Sequence, residues 1–485
     1  MKRPQIASAQ LLGTESIGRL LVQYSVPAII ASVATSLYNI VDSIFIGQGV
    51  GPMAIAGLAI TFPLMNLVVG FCTLIAVGAC TISSIFLGQK NLARATETVN
   101  TAMVLCLLHA VVFGTLTYIF LDPILRLFGA TNETIQYAAE FTKVILYGTP
   151  IAYVFIGLNN IMRATGYPKK AMYSALISVG VNIILAPIFI FKLEWGIAGA
   201  AWATVAGQTV AFVWVLCHFF SKKSYVHFDF RCGFFSIPII KRIYAIGLSP
   251  FLMNATACFV VVFLNKSLLS VAGDLGNIAV GAYGILNRTT MCFVMIVFGV
   301  TQGMQPILGY NFGAGNWPRV KKTLYRGIWI GVAITCVGWI ITQTLPDQLS
   351  RLFTRDQEMI DIARVGYHIY FIVYPVVGAQ VVIQNYFQSI GKPMWSIILS
   401  LTRQLIFLVP LLAILPKHFG IDGVWGSMAA SDFLAFAMAV IVMIFNTIHF
   451  NRLYRAGTLT QVIHHRSSPN NNTDTDNAQT SNPTH

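Results

Sequence analysis

The chain is organised around residues 27–46, which read PAIIASVATSLYNIVDSIFI. They belong to an apolar run from about Leu20 to Ile46 in which Asp42 is the only charged side chain. At ~1.5 Å rise per residue, a helix of this length is roughly 40 Å long and can span a bilayer. A bare carboxylate is unfavourable in hydrocarbon, so an acid in such a helix usually faces water or binds a proton or a cation. The sequence predicts a membrane-spanning helix with a functional acid, and Tyr38, four residues earlier, lies on the same helical face.

The composition is that of a polytopic membrane protein. Of its 485 residues 56% are hydrophobic and 10% are charged, and the mean hydropathy is +0.71. A net charge of +14 would suggest a nucleic-acid partner in a soluble protein. Here the basic residues lie between apolar segments, so membrane orientation explains them better, and no nucleic-acid partner is expected. The eight cysteines lack the spacing of a metal site or a disulfide framework, and we expect no metal and no cofactor.

Twelve apolar segments are long enough to cross a bilayer. They cover about 17–46, 53–86, 97–121, 137–163, 170–192, 196–220, 239–271, 277–308, 319–344, 361–388, 394–416 and 420–449. With the N-terminus inside, 21 of the 31 basic residues lie on the inner side. Because basic residues concentrate on the cytoplasmic side, both termini are predicted to be cytoplasmic. No removable signal peptide is recognisable in the polar first residues.

The two halves of the chain repeat. At an offset of 225 residues RLF 126–128 recurs at 351–353, and Pro150, Gly166 and Pro168 match Pro375, Gly391 and Pro393. The predicted fold is therefore an all-α membrane protein with two six-helix bundles in parallel internal repeat. The predicted regions are a cytoplasmic N-terminal segment 1–16, an N-lobe 17–220, a cytoplasmic linker 221–238, a C-lobe 239–449 and a disordered cytoplasmic tail 450–485.

Other polar residues inside the apolar segments are candidates for chemistry or for packing. Arg288, Arg403 and Asp432 are interpreted as an ion-paired structural cluster, because intramembrane charges usually pair. Asp42 has no such partner in its own half, which favours a functional role. The segment GVTQGMQPILGYNFGAGN (299–316) carries two glutamines and a proline, and either interhelical hydrogen bonds or a kinked polar cavity wall explains it. Asn182 and Thr204 are neutral polar candidates to surround Asp42, although each alone suits an ordinary interhelical hydrogen bond.

These motifs resemble the multidrug and toxic compound extrusion (MATE) family, most closely its DinF-like branch, over about residues 15–450. The resemblance rests on YNIVDSIFIG (38–47), GLNNIMRATGYP (157–168), VNIILAPIFIF (181–191), GIAGAAWATVAGQ (196–208), segment 299–316 and LTRQ (401–404). It implies a V-shaped pair of lobes and export of amphipathic organic cations by alternating access, driven by an inward H⁺ or Na⁺ gradient. It also implies a monomer without cofactors in the bacterial plasma membrane, whose partners are small organic cations and the lipid bilayer.

The resemblance assigns roles to particular residues. It implies a cation-coupling site at Asp42, Tyr38, Asn182 and Thr204, and a helix bend at Pro27. Residues implied to line the cleft between the lobes are Asn159, Asn160, Gln302 and Gln305, the last followed by Pro306. One departure matters: the branch commonly has NxxLDP in the fifth helix, and this chain has Ala186 at the position of that acid. With one carboxylate left, H⁺ coupling is favoured, because Na⁺ needs several oxygen ligands at once.

Other functions remain open. A Na⁺-coupled drug antiporter would use Asn182 and Thr204 beside Asp42. An exporter or flippase of a lipid-linked or metabolite substrate belongs to the same superfamily, but those flippases usually add two helices. A membrane enzyme would need paired catalytic acids, a metal box or an activated nucleophile, none of which is recognisable, so we expect no enzyme. A channel would not need a lone buried acid.

Overall fold

The computed structural model describes residues 9–221 and 224–467. The predicted inner-side residues Lys222 and Lys223, the first eight residues and residues 468–485 of the predicted tail lie outside them. Helices make up most of the described chain, and it contains no strand. The all-helical prediction is confirmed.

Twelve spans cross the predicted membrane, and they are numbered here in chain order. In the described part of the chain eleven apolar segments are long enough to cross, and the last, Pro393–Arg455, has 63 residues, which is enough for two crossings. Gly420 interrupts it with φ 58° and ψ −135°, so that this segment forms two spans. Spans 1 to 12 are Ile17–Gly49, Pro52–Gly88, Leu92–Ile119, Ile135–Ala164, Pro168–Pro187, Gly196–Phe220, Ile237–Val271, Gly276–Gly313, Trp317–Thr344, Gln357–Ser389, 393–419 and 421–455.

Short helical segments lie between and beside the spans. Leu11–Thr14 precedes span 1, and Leu121–Leu127 and Pro346–Arg351 follow spans 3 and 9 at equivalent places in the two halves. Leu459–Ser467 follows span 12. One π-helical turn, Ile188–Lys192, directly follows span 5, and another, Thr402–Leu408, lies within span 11.

The turns between spans show why the two halves fold alike. Gly166 and Gly391 have φ of 103° and 68°, a conformation that side chains with a Cβ rarely adopt. Pro168 and Pro393 then occupy the first turn of spans 5 and 11, where the missing N–H is not needed. The same Gly-x-Pro signal, 225 residues apart, therefore ends one span and begins the next in both lobes.

The lobes touch along spans 1 and 2 of one and spans 7 and 8 of the other, mostly in their inner halves. Glycines allow backbone contact there. A Cβ on Gly88 would lie 2.0 Å from the Tyr310 carbonyl oxygen, and one on Gly313 would lie 2.1 Å from the Ile85 carbonyl oxygen. These contacts are related by the 225-residue repeat, so the lobes meet about an approximate two-fold axis. We call this interface the inner seam.

The outer part of span 1 is far less enclosed than the inner seam. Of the 18 most apolar consecutive residues of span 1 only 11% are buried, compared with 67% in the corresponding stretch of span 10. Leu37, Ile40 and Ile44 are all about half exposed or more. Span 1 is therefore held mainly at its inner end.

Candidate functional site

Asp42 lies in the outer half of span 1 and is 8% exposed. Its Oδ1 atom is buried and has no hydrogen-bond partner within residues 9–221 and 224–467. No described basic side chain forms an ion pair with it. A buried carboxylate oxygen without a donor is unfavourable, so the site favours a bound proton or a bound cation.

Tyr38 is one helical turn before Asp42, as its spacing requires. Its hydroxyl is within electrostatic range of the carboxylate. The side chain is partly buried. It therefore offers a phenolic oxygen to the same space as Asp42.

Asn182 and Thr204 are brought together by the packing of spans 5 and 6. Asn182 Nδ2 donates a hydrogen bond to Thr204 Oγ1 at 2.9 Å, and this hydroxyl donates to the Ala200 carbonyl at 3.2 Å. Gly207 permits the close approach, because a Cβ there would lie 2.4 Å from the Ser178 carbonyl oxygen. Since its amide nitrogen is used, Asn182 has its Oδ1 left to accept a hydrogen bond or to ligate a cation.

Span 1 packs along span 5, so Asp42 and Asn182 lie on neighbouring helices. Neither Asn182 nor Thr204 forms a direct hydrogen bond with the Asp42 carboxylate among the described side chains. The four predicted residues thus supply a carboxylate, a phenol, an amide and a hydroxyl, but the amide and the hydroxyl bond to each other and not to the carboxylate. In the described part of the chain no three His, Cys, Asp or Glu side chains form a metal-binding group.

Ala186 is completely buried at the position where the resemblance leads one to expect an acid. It packs in an apolar cluster with Ile46, Ile190 and Ile197. At this position span 5 therefore carries a buried methyl group and no second carboxylate.

Pro27 lies inside span 1, which continues as one helix from Ile17 to Gly49. Proline has no N–H, so the helix lacks one backbone hydrogen bond at this turn. Just before it, Ser25 Oγ donates to the Val300 carbonyl of span 8 at 3.3 Å. Pro27 thus separates the inner part of span 1, fixed at the seam, from the loosely enclosed outer part that carries Asp42.

The residues implied to line the cleft are divided between two environments. Asn159 and Asn160 are partly exposed on span 4 and bond locally, to Ser174 and to the Ile156 carbonyl. Gln305 is 2% exposed and donates to Thr81 Oγ1 at 2.8 Å, across the inner seam. Gln302 accepts a hydrogen bond at 2.5 Å from Arg163, whose side chain is itself buried. The two glutamines therefore form hydrogen bonds between the lobes.

The charges of the C-lobe form a pair and leave one residue apart. Arg403 Nε and NH2 donate to the two carboxylate oxygens of Asp432 at 2.6 and 3.2 Å. Asp432 is 2% exposed. Arg288 does not join them; its guanidinium lies 5.9 Å from the centre of the Phe353 ring, near the outer side. The bidentate ion pair between Arg403 and Asp432 holds spans 11 and 12 together.

Sequence reasoning missed two polar contacts between the lobes. One is Arg163 with Gln302, and the other is His109 on span 3 with Tyr244 on span 7. Arg163 and His109 could have been noted, because each is an ionisable residue within or at the end of a span. Their partners could not, because they are far away in the sequence and come from the other lobe.

The geometry agrees with what comparisons with known proteins find. A model of the MatE family matches residues 27–188 and 255–414, two stretches of nearly equal length, one in each half. The multidrug export protein MepA of Staphylococcus haemolyticus (strain JCSC1435) is 26% identical over 428 residues, covering 88% of this chain and 93% of that protein. MepA of Staphylococcus aureus (strain MSSA476) is 27% identical over 425 residues, covering 87% and 93%.

One solved structure is similar over nearly the whole fold. It is the outward-facing conformation of a multidrug resistance MATE family transporter of the MOP superfamily. The TM-score is 0.85 at 24% sequence identity, and the similarity covers 92% of this chain and 99% of that one. At this identity the likeness concerns the fold alone.

Proposed function

The chain belongs to the MatE family, and from that premise we propose that it is a secondary active exporter of amphipathic organic cations, driven by cation antiport. Its relatives are named multidrug export proteins, which supports a small-molecule substrate. The multi-pass fold with two repeated lobes supports alternating access between them. None of the relatives reported above is named as an enzyme.

The unpartnered Oδ1 of Asp42 carries the coupling proposal. The electrostatic energy of a buried carboxylate changes most when it binds or releases a proton or a cation. Neutralisation removes the penalty of a bare buried charge and allows span 1 to pack more closely. Export of a cation would require Asp42 to release its proton or ion. Uptake of another proton or ion from outside would then return the transporter to its starting state.

We propose H⁺ as the coupling ion. A proton needs one carboxylate, whereas Na⁺ needs several oxygens, and the apolar surroundings of Ala186 provide none. Sodium is the second candidate, because Asn182 Oδ1 and Thr204 Oγ1 lie on the neighbouring spans. Transport measurements distinguish coupling to H⁺ from coupling to Na⁺ when the two gradients are imposed independently.

The decisive experiment measures ethidium or tetraphenylphosphonium transport in proteoliposomes under separate pH and sodium gradients. We expect uphill transport with the pH gradient alone and loss of it in Asp42→Asn, since Asn cannot change its charge. Asp422→Asn is the matched control, because Asp422 is an exposed acid at the outer end of span 12. Full transport by Asp42→Asn, or transport driven by sodium with no pH difference, would contradict the assignment. Failure to move any of a broad panel of cations would favour a lipid or metabolite substrate.

The proposed orientation has both termini in the cytoplasm of a bacterial cell, with the protein acting as a monomer in the plasma membrane. The concentration of basic residues on the inner side supports this orientation. A cysteine introduced at Ala93, which is exposed at the inner end of span 3, should resist an impermeant reagent added to intact cells. Labelling at that position would show that the proposed orientation is wrong.

A further inference from the structure

An ionisable residue in span 3 forms a bond between the lobes. The Nε2 atom of His109 lies 2.8 Å from the Tyr244 hydroxyl on span 7. An intramembrane ionisable residue is usually functional, because the membrane penalises its charged form. This histidine belongs to neither the Asp42 site nor the Arg403–Asp432 pair.

The surroundings of His109 are aromatic and uncharged. The Phe71 ring meets the imidazole edge-on with centroids 6.2 Å apart, and the Tyr244 ring is tilted at 5.5 Å. The titratable groups on the packed elements are Tyr244 on span 7, Cys72 on span 2, Cys106 on span 3 and Tyr153 on span 4. Phenols and thiols are ordinarily uncharged near neutral pH. The nearby Arg242 is directed at the Phe86 ring, 5.1 Å from its centre.

The second ring nitrogen of His109 has no partner. Nδ1 is buried and makes no hydrogen bond with any described residue. A neutral imidazole carries one donor and one acceptor, so it can satisfy Tyr244 through Nε2 and leave Nδ1 unused. A protonated imidazole carries two N–H donors and a charge, and no described carboxylate forms an ion pair with His109.

Tyr244 lies one turn before the closest backbone contact of the inner seam. A Cβ on Gly247, one turn after Tyr244, would lie 1.7 Å from the Leu74 carbonyl oxygen, so spans 2 and 7 are in backbone contact there. The Phe71 and Phe251 rings also pack across the lobes with centroids 4.8 Å apart. Separation of the lobes on this side must therefore expose His109 and break its bond to Tyr244.

We infer that His109 is a second proton-binding site, and that its protonation weakens the inner seam and favours opening of the transporter towards the cytoplasm. The charged imidazole gains water only when the lobes part, so proton binding and opening assist each other. The inference rests on the proposed function only in treating the lobes as moving by alternating access. It does not depend on which ion Asp42 binds.

The test monitors the seam directly in the full-length protein. Bio-orthogonal labels at Ala93 and Ala314, exposed residues near the inner ends of spans 3 and 8, report the distance between the lobes. The measurements are made in the Asp42→Asn protein, so that the remaining pH response does not come from Asp42. Between about pH 8 and about pH 5.5, where histidines titrate, we expect the closed-to-open ratio to fall at least about threefold.

His109→Gln keeps a hydrogen-bonding partner for Tyr244 but cannot titrate, so it should hold the seam closed at both pH values. His368→Gln removes an exposed histidine on the outer side and should leave the response unchanged. An unchanged pH response in His109→Gln, or none in the Asp42→Asn protein, would overturn the inference.

Tyr244→Phe is the second arm, because it removes only a hydroxyl and keeps the ring. It should lower the closed fraction at high pH, where the bond to His109 is intact in the parent protein. A closed fraction equal to that of the parent would also overturn the inference. Transport under separate gradients tests the Asp42 assignment, so the two proposals fail independently.

Discussion

A buried carboxylate with an unpartnered oxygen is stabilised either by a proton or by a cation that other oxygens also bind. At Asp42 the neighbouring residues decide between the two. Asn182 and Thr204 supply neutral oxygens, but Ala186 supplies a methyl group in an apolar cluster. We therefore propose that Ala186, which offers no oxygen ligand, favours H⁺ over Na⁺ at this site.

Ala186→Asp should create a sodium site. Two carboxylates together bind Na⁺ more tightly, and a ligand at about 100 times its Kd stabilises the folded state by about 2.7 kcal/mol. We expect a sodium-dependent rise in melting temperature for this variant and none for the parent protein. Ala186→Asn, of the same size but neutral, is the control. An equal sodium effect on the parent protein would contradict proton coupling.

The sequence predicted the types of residue in the candidate site better than their contacts. The spacing of Tyr38 and Asp42 within one helix follows from helical geometry alone. The sequence placed Arg288 in an ion-paired cluster with Arg403 and Asp432, but its side chain lies against Phe353 instead. Contacts such as Arg163 with Gln302 depend on how the lobes are placed, which no local pattern encodes.

At the scale of elements, span 1 consists of two parts with different constraints. Its inner part is fixed at the seam, where a Cβ on Gly303 would lie 2.6 Å from the Ser25 Cα atom. Its outer part carries Asp42 and has few buried residues. Pro27 lies near the boundary, where one helical hydrogen bond is already missing.

Pro27→Ala should restrict transport by strengthening this boundary. Alanine restores a backbone N–H and removes the clash of the proline ring, so the straight helix gains stability. We expect export to fall about tenfold, equivalent to about 1.4 kcal/mol, with no loss of melting temperature. Pro250→Ala in span 7 is the matched control, because Pro250 is also a buried proline inside a span. Equal losses in both variants would argue against a special role for span 1.

Most of the elements could be predicted, because a bilayer requires long apolar helices and the turns carry glycine and proline signals. The boundary between spans 11 and 12 lies at Gly420, where the helix is interrupted, and the predicted apolar segments end at 416 and begin again at 420. The π-helical turns Ile188–Lys192 and Thr402–Leu408 were not predicted. They arise from packing of neighbouring spans, and apolar residues in them have no distinctive pattern.

At the scale of the whole molecule, the lobes separate only where the inner seam allows it. Hydrogen bonds from Gln305 and Ser25 cross the seam, and backbone contacts at glycines set its closeness. The repeat in the sequence predicted two parallel lobes, since matching prolines and glycines recur 225 residues apart. It could not predict which spans meet, because both lobes carry similar apolar faces.

Gly247→Ala should force the seam apart. Its Cβ would lie 1.7 Å from the Leu74 carbonyl oxygen, which is backbone and cannot move aside alone. We expect the labels at positions 93 and 314 to report a larger distance and fewer closed molecules. Gly284→Ala in span 8 is the control, since a Cβ there meets nothing within 4 Å. A closed distance in Gly247→Ala equal to the control would show that the seam tolerates the added atom.

The reciprocal contacts of Gly88 with Tyr310 and of Gly313 with Ile85 make the seam complementary to its own equivalent. A surface with that property is the interface of a two-fold symmetric dimer, in which residue i meets j and j meets i. A half-length chain of six spans could pair through it with a second copy in the same membrane orientation. The arrangement is therefore that of a duplicated and fused homodimer, in which each of these glycines has a counterpart in the other lobe that can be mutated separately.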